Sequence, residues 1–317
     1  MKNVLLFLIS FAVLSFSFNM QPLGPQQFRI DNVATAKLHV QGSPDFIIAD
    51  GNDIWVTNIN RMDKLSLSSD SVIQTVSMPE PCGAGIAAFG SLWVASCQDK
   101  SIYRIDEASG TVISIIHTGL ADPFGELSLA SGAGSVWVLS SHAGILSRID
   151  PNTNSVVNQI TVKAGSYCAV FEFGSVWISN SENEDGRGSV ERVDPVRNRV
   201  MATIPVGPKP HFLAAGEGGV WTLNQEDGTV TQIDPNTNEA VRSIHVNASG
   251  SGGDIATGAG KVWVRATKVL LSAIDPATGE VVATYGPKAG SGAVRVTADN
   301  VVWLSAHDVH TVWALHP

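Results

Sequence analysis

The chain is poor in charged side chains, and those it has are mostly acidic. Lysine and arginine number 20 against 29 aspartates and glutamates in 317 residues, which gives a formal net charge of -9. Binding to a nucleic-acid backbone needs clustered Lys and Arg, and the sequence has no such cluster. The composition therefore disfavours nucleic acid as a partner.

The sequence also lacks a long helical pattern, and it has one long apolar run, VLLFLISFAVLSF at residues 4–16, which follows Lys2. This run is too short for a comfortable membrane span, and Ser15-Phe16-Ser17 provides the small-x-small pattern of a cleavage site. We predict a signal peptide at residues 1–17, with a membrane anchor as the alternative, and a flexible leader at 18–33, which show no hydrophobic period. The mature protein is expected to be secreted or periplasmic, without a membrane span.

What the sequence does contain is a repeat. Four short runs of β-branched and aromatic residues, separated by Gly, Pro, Asn and Asp turns, recur along the chain, and residues 207–246 show the unit most clearly. The copies are 38 to 44 residues apart and are marked by Trp55, Trp93, Trp137, Trp177, Trp221, Trp263 and Trp303. Four strands per period of this length are typical of a propeller blade. The sequence predicts an all-β, seven-bladed β-propeller of four-stranded antiparallel blades over residues 34–317.

Three of the repeats carry the motifs WVTN at 55–58, WVAS at 93–96 and WISN at 177–180. In these motifs the chain resembles the YVTN family of β-propeller repeats, which groups with the streptogramin (virginiamycin B) lyase-like propellers. The resemblance covers nearly all of the mature chain. It implies the propeller fold, and it is weak for activity because propellers host unrelated functions.

The last repeat is one strand short. Residues 303–306 and 311–315 supply its second and third strands, and no fourth run follows. Residues 34–40, ATAKLHV, align with the fourth strands of other repeats, such as AVRSIHV at 240–246. We therefore predict that this N-terminal strand pairs with residues 312–315 and closes the ring, which removes free sheet edges.

The chain has only three cysteines. Cys82 and Cys97 fall on the two arms of one predicted hairpin at matching distances from its turn, so they should lie opposite each other and form a disulfide. A disulfide that closes a loop of about 15 residues contributes roughly 3 kcal/mol on the chain-entropy model. Cys168 is expected to be a buried thiol rather than a reactive nucleophile, because the sequence places no base beside it.

In a propeller, the loop that enters each innermost strand and the loop that leaves each second strand open on one face, here called the top face. At the innermost-strand starts, this face is predicted to carry Asp45, Cys82, Glu126, Tyr167, His211 and Asp254. At the second-strand ends, it is predicted to carry Asn58, Ser96, Ser140 with His142 nearby, Asn180, Asn224, Arg265 and His307.

These candidates allow structural and functional interpretations. Asn58, Asn180 and Asn224 are expected mainly to close turns with their side-chain amides. Three carboxylates, those of Asp45, Glu126 and Asp254, could instead hold a divalent cation such as Mg²⁺ or Ca²⁺, or a substrate amine, through oxygen ligands. The sequence contains no contiguous calcium loop or zinc motif.

His211 follows Pro210, and the streptogramin lyases carry Pro-His at this place in their repeats. They use such a histidine as general base, with a magnesium ion held by acidic groups, to open a cyclic depsipeptide by elimination. The resemblance implies that His211 is the base. Here, however, Lys209 stands where the lyases have Glu, and second strands end in VTN or ISN where the lyases have FTE.

Two functions are therefore carried forward. The first is binding of a small molecule, peptide or protein ligand at the mouth of the central channel, by a monomer. The alternative is a metal-assisted lyase in which His211 acts as base beside Asp45, Glu126 or Asp254. A histidine with an ordinary pKa near 6.5 is neutral and basic at neutral pH, which suits it to that role.

Overall fold

The computed structural model describes residues 24–121, 129–181 and 186–317. Seven antiparallel sheets form the predicted propeller. The N-terminal segment contributes β1 (Gln26–Arg29), the one-turn helix α1 (Ile30–Val33) and β2 (Ala36–His39). The predicted signal peptide, the first residues of the predicted leader and Glu126 lie outside the described residues.

Blades 1 to 3 each contain four consecutive strands, numbered from the channel outward. Blade 1 consists of β3 (Ile47–Asp50), β4 (Asp53–Asn58), β5 (Arg61–Ser66) and β6 (Ser71–Ser77). Blade 2 consists of β7 (Pro81–Ala88), β8 (Ser91–Ser96), β9 (Ser101–Asp106) and β10 (Val112–Ile116). Blade 3 consists of β11 (Leu129–Gly132), β12 (Ser135–Ser141), β13 (Ile145–Asp150) and β14 (Ser155–Thr161).

Blades 4 to 6 follow the same order. Blade 4 consists of β15 (Ser166–Glu172), β16 (Ser175–Asn180), β17 (Gly188–Asp194) and β18 (Arg199–Val206). Blade 5 consists of β19 (Pro210–Gly216), β20 (Gly219–Asn224), β21 (Thr229–Asp234) and β22 (Glu239–His245). Blade 6 consists of β23 (Asp254–Gly258), β24 (Lys261–Arg265), β25 (Leu271–Ile274) and β26 (Val281–Gly286).

Blade 7 is built from both ends of the chain. It contains β27 (Val294–Val296), β28 (Val302–Ala306), a 3-10 turn at His307–Val309 and β29 (Thr311–Leu315), and β2 is its outermost strand. The register pairs Leu38 with Val312 and His39 with Thr311. The predicted closure is therefore confirmed, and contacts of β27 with both β23 and β3 complete the ring.

The N-terminal segment is more ordered than the predicted flexible leader. β1 runs parallel to β26 as a fifth strand of blade 6, with Phe28 opposite Tyr285. Their rings stack at a centroid distance of 5.3 Å, and Ile30 in α1 is only 1% exposed. The leader prediction therefore does not hold for residues 26–33. It rested on the absence of a hydrophobic period, and a segment of eight residues with two anchoring side chains is too short to show one.

The marker tryptophans all lie in second strands, and all are buried. In blades 2 to 6, the indole N–H donates to a backbone carbonyl five residues earlier, across the hairpin turn, for example from Trp137 to Gly132 at 3.1 Å. Each of these indoles thus fills the space between blades while satisfying its one donor. This dual role accounts for the tryptophan in these five blades.

Three blade junctions share an arginine contact. Arg148 in β13 stacks over Trp137 of its own blade, 5.0 Å from the ring centroid. Its guanidinium also donates to the carbonyl of Pro195 at 2.8 Å and to Asn198 Oδ1 at 3.2 Å, both in the turn of the next blade. Arg104 and Arg192 repeat this contact from blades 2 and 4. We call these three residues the arginine staples.

The predicted disulfide is confirmed. Cys82 and Cys97 are joined, with their Cα atoms 5.8 Å apart on β7 and directly after β8. Cys168 is buried and lies outside the disulfide, as expected. No helix among the residues described is long and apolar enough to cross a membrane.

Candidate functional site

The innermost strands surround a central cavity of 280 Å³. Its wall is mostly small and apolar, with residues such as Ala84, Ala130, Ala169 and Ala214, and Arg295 is the charged side chain on it. The channel itself therefore offers little chemistry. The titratable side chains lie at its mouth, on the top face, where the innermost strands begin and the second strands end.

His211 is positioned by a tight turn before β19. Lys209 adopts a left-handed backbone with φ of 50°, and its carbonyl oxygen accepts hydrogen bonds from the backbone N–H of His211 at 2.9 Å and of Gln225 at 3.0 Å. Gln225 directly follows β20 and is 5% exposed. The turn thus sets the start of one strand beside the end of its neighbour, and the two side chains meet.

Gln225 links His211 to blade 6. His211 Nδ1 lies 2.5 Å from Gln225 Oε1, and Gln225 Nε2 donates to the carbonyl of Gly252 at 3.0 Å. The carbonyl oxygen of Gly252 can only accept a hydrogen bond, so it must face the amide nitrogen of Gln225. The other atom of the amide, Oε1, then faces the histidine. His211 must then donate from Nδ1, and the lone pair of the neutral ring is on Nε2.

Aromatic rings hold the imidazole from its flanks. Tyr167, at the start of β15 in the preceding blade, stacks on His211 with centroids 4.2 Å apart and an interplanar angle of 20°. Phe212 presents its ring edge-on to both, at 5.8 Å from Tyr167 and 6.5 Å from His211. Stacking and edge-to-face packing restrict ring rotation, so the orientation set by Gln225 is supported by packing.

A second group of candidates lies where blades 6, 7 and 1 meet. Asp254 is 2% exposed and accepts hydrogen bonds from the backbone N–H groups of Ile255 at 2.9 Å and Val294 at 3.1 Å. Its carboxylate also pairs with Arg295. Burial raises the pKa of Asp254, and the Arg295 charge opposes that rise. This carboxylate holds blade 6 to blade 7.

Arg265 is fully buried at the end of β24. Its guanidinium donates to the carbonyl oxygens of Ser305 at 3.0 Å, Ala266 at 2.5 Å and Gly290 at 2.6 Å. Burial lowers the pKa of Arg265 to about 10, and the nearby Asp45 carboxylate is the largest opposing influence. Through these three hydrogen bonds, Arg265 holds together the backbone segments that surround it at the wall of the site.

Asp45 differs from these paired groups. It is partly buried just before β3, and within the described part of the chain its carboxylate makes no hydrogen bond or ion pair. Burial raises the pKa of Asp45 to about 6. The charges of Asp254 and Asp308 add to the rise, whereas those of His307 and Arg265 oppose it. His307 itself contacts Asp308, with 2.6 Å between Nδ1 and Oδ1.

The predicted asparagines bond within or beside their own blades. Asn58 Nδ2 donates to Gln41 O at 2.9 Å and to Asp63 Oδ2 at 2.8 Å, and its Oδ1 accepts from two backbone N–H groups. Asn224 bonds three threonine hydroxyls, and Asn180 donates to Ser166 Oγ at 2.6 Å. These amides therefore organise turns at the second-strand ends. His142 lies exposed in the turn after β12.

The predicted cation site is not assembled by the residues that the structure describes. Glu126 lies outside them, Asp254 is paired with Arg295, and Asp45 presents an unpaired carboxylate. Across residues 24–121, 129–181 and 186–317, no group of three or more His, Cys, Asp or Glu side chains is arranged to hold a metal ion. A divalent cation remains a prediction that needs Glu126.

Two clefts on the top face meet at Asp45. One, of 590 Å³, lies between blades 1 and 2 and is lined by Asn58, Glu80 and the disulfide. The other, of 710 Å³, lies between blades 6 and 7 and is lined by Lys268, His307 and Asp308, with the glycine- and serine-rich loop at 249–252. Asp45 is the residue that lines both.

Gln225, Glu80, Lys268 and Asp308 were not among the predicted site residues. Gln225 could have been predicted, because it directly follows Asn224, which was expected at the end of a second strand. Lys268 and Glu80 lie in turns whose position over a cleft is set by neighbouring blades. The sequence pattern gives no signal for them.

No family model matches the sequence, and no curated protein matches it significantly. Among solved structures, the fold is similar to that of a streptogramin B lyase, with a TM-score of 0.72 and 13% identity, covering 88% of this chain and 96% of the other. It is also similar to BamB from Moraxella catarrhalis, with a TM-score of 0.60 and 14% identity, covering 86% and 82%. At these identities the likeness shows the fold alone.

Proposed function

We propose that this protein is an exported β-propeller that binds a small polar ligand on its top face, over the mouth of the central channel. The observation that carries the proposal is the chain of hydrogen bonds from His211 through Gln225 to Gly252. Gly252 lines the cleft between blades 6 and 7, so this chain of hydrogen bonds connects the histidine to the cleft that Asp45 also lines.

The side chains of this surface are better suited to binding a ligand than to stabilising the fold. A fixed imidazole and a partly buried, unpaired carboxylate bring little stability to the fold, whereas both are preorganised for a polar partner. Export is supported by the apolar run at residues 4–16 and by the disulfide, because disulfides persist in oxidising compartments.

The binding proposal is tested by screening a library of polar fragments by ligand-observed NMR against the wild-type protein and His211→Ala. We expect fragments that bind the wild type to lose at least tenfold in affinity in the variant, because the imidazole, which is the ring that stacks on Tyr167, is removed. The melting temperature should barely change, since a half-buried histidine packs little apolar surface.

His245→Ala is the matched control, because His245 is an exposed histidine in the outer strand β22. It should leave fragment binding unchanged. If fragments bind His211→Ala as tightly as the wild type, the top-face site is wrong. A loss of stability much above about 1 kcal/mol in His211→Ala would assign this histidine a structural role instead.

A second candidate function is lyase-type catalysis with His211 as base. It is favoured by the bond from Nδ1 to Gln225, which leaves the basic lone pair on Nε2, and the fold likeness to a streptogramin B lyase adds support. In this candidate His211 would take a proton from a carbon acid, and Gln225 would hold the ring in place through proton transfer. A divalent cation held with the help of Asp45 and Glu126 would supply charge stabilisation for the enolate.

Incubation with a streptogramin B antibiotic, with Mg²⁺ present, tests this candidate by chromatography of the ring-opened product. Turnover that is abolished by His211→Ala and reduced by Gln225→Leu, with binding kept, would support the base role. Binding of the antibiotic without ring opening would contradict the lyase candidate and agree with the binding function.

A further inference from the structure

We propose that the ligand carries a primary ammonium group and that Asp45 is its anionic partner, held between the two clefts of the top face. This inference deepens the proposed function and rests on it, since it concerns the same surface. It follows from the contrast between Asp45 and the neighbouring carboxylates, from the charges that line the clefts and from their shape.

The neighbouring carboxylates are already satisfied. Asp254 has two backbone donors and Arg295, and Asp63 in the same blade as Asp45 accepts from Asn58, Arg61 and Thr75. Withdrawing a carboxylate from water without giving it a donor costs free energy. Asp45 is the partly buried carboxylate of these clefts that accepts no hydrogen bond from the described residues.

The charges lining the clefts select the sign of the ligand. Asp45, Glu80 and Asp308 carry three negative charges, against the one positive charge of Lys268 and a histidine, His307, that contacts Asp308. The buried guanidinium of Arg265 has its donors on three backbone carbonyls. The two clefts together therefore carry a net negative charge, which favours an ammonium group.

The shape selects a flexible ligand with its charge near the middle or at one end. The clefts of 590 and 710 Å³ extend from Asp45 in two directions, toward the disulfide and toward the loop at 249–252. Serine hydroxyls and backbone groups dominate the second cleft, and these suit neutral polar parts of a ligand. A free amine and a lysine side chain of a peptide share the chemistry that this site recognises.

Three probes with the same five-carbon chain test the inference by isothermal titration calorimetry: 1,5-diaminopentane, 1,5-pentanediol and glutarate. At pH 8 we expect the diamine to bind the wild-type protein at least tenfold more tightly than the diol, with no binding of glutarate. Asp45→Asn should abolish this preference, and Asp70→Asn should keep it. Asp70 is an exposed carboxylate in a turn of the same blade, so it controls for the change in net charge.

The same titration at pH 5 gives a second readout. Asp45 is neutralised by protonation below about pH 6, so the diamine should lose most of its affinity there, whereas the diol should not. His307, Asp254, Arg265 and Asp308 are the charged groups that face Asp45, and each is kept in both Asn variants. An acetylated and amidated Gly-Lys-Gly peptide, as a further arm, shows whether a lysine side chain is accepted as well as a free amine.

The outcomes separate this inference from the proposed function. If the diol or glutarate binds in a manner that depends on His211 and the diamine does not bind, the ammonium inference is wrong and the top-face site stands. If none of the probes or fragments requires His211 or Asp45, both fail. If Mg²⁺ or Ca²⁺ binds through Asp45 and excludes the diamine, the residue is a metal ligand and the inference is overturned.

Discussion

At the scale of the residue, the top face shows how burial and pairing decide what a charged side chain can do. Asp254 begins the innermost strand of blade 6 and Asp45 lies just before that of blade 1, yet Asp254 is paired with Arg295 and Asp45 is not. The first carboxylate ties two blades together. The second bears the free-energy cost of partial burial without a hydrogen bond or ion pair of its own, a condition typical of functional sites.

This cost makes a prediction about stability and pH. The folded-state pKa of Asp45, about 6, lies above the ordinary value of 3.8, so the folded protein holds this proton more tightly than the unfolded chain. Below about pH 4, the carboxyl group of Asp45 does not lower the free energy of unfolding. The destabilisation grows from there to about pH 6 and is complete above that pH. Asp45→Asn should therefore raise the free energy of unfolding by about 1–3 kcal/mol at pH 8 and leave it nearly unchanged at pH 4.

Urea denaturation of the wild type and Asp45→Asn at the two pH values measures this difference. Asp70→Asn again provides the control and should have little effect at either pH. An equal gain at pH 4 and pH 8 would mean that the substitution acts through packing, not through the charge of the carboxylate.

At the scale of the element, the arginine staples explain how separate sheets are held in a ring. Each staple stacks on a tryptophan of its own blade and donates to a proline carbonyl and an asparagine in the Asp-Pro turn of the next. That asparagine has a left-handed backbone, with φ of 50° at Asn198, which Asn tolerates better than most residues. The turn of one blade therefore presents the two acceptors to which the arginine on a strand of the preceding blade donates.

Replacing a staple should destabilise the ring without touching the top face. Arg148→Ala should cost about 2–3 kcal/mol, because it removes charge-assisted hydrogen bonds and the stacking on Trp137. Arg148→Lys should cost about half as much, because it keeps the charge and loses the planar fork that reaches two acceptors. Chemical denaturation monitored by tryptophan fluorescence measures both.

Arg199→Ala is the control, since Arg199 is exposed at the start of β18, and its effect should stay within about 0.5 kcal/mol. Equal losses for Arg148→Ala and Arg199→Ala would show that the staples add nothing to stability. Fragment binding at His211 should be unaffected by either variant.

At the scale of the whole molecule, the ring depends on a strand from the far end of the sequence. β2 completes blade 7, its Leu38 and Val40 are buried, and Thr35 and Val40 add backbone hydrogen bonds to Ala314 and His310. Without β2, the edge of β29 would be exposed and the apolar layer under it opened. β1, in contrast, adds to the outside of a blade that already has four strands.

Truncations separate these two contributions. A chain that begins at residue 41 should be at least about 4 kcal/mol less stable than one that begins at residue 24, because it loses the buried Leu38 and Val40 and the four ladder positions of β2, in addition to the contacts of β1 and α1. A chain that begins at residue 35 keeps β2 and should lose much less, mainly the contacts of Phe28 and Ile30. Thermal melts of the three proteins decide the matter, and equal midpoints for the chains that begin at 35 and 41 would contradict the role of β2.

The sequence by itself determined the architecture. The tryptophan period, the Asp-Pro turns and the alternation of short apolar runs repeat locally, so they predict seven blades of four strands, and the missing run in the last repeat predicts the closure by residues 34–40. The disulfide was predictable for the same reason, because the register of a hairpin follows from the position of its turn.

Only the tertiary structure decided which top-face side chains are available. Whether a carboxylate is paired, as Asp254 is, or unpaired, as Asp45 is, depends on groups about 40 residues away in the next blade, such as Arg295. Gln225 was missed because a shift of one residue along a strand turns a side chain to the other face. The repeat fixes each blade's path through local sequence, whereas the chemistry of the channel mouth arises between blades, where no local pattern records it.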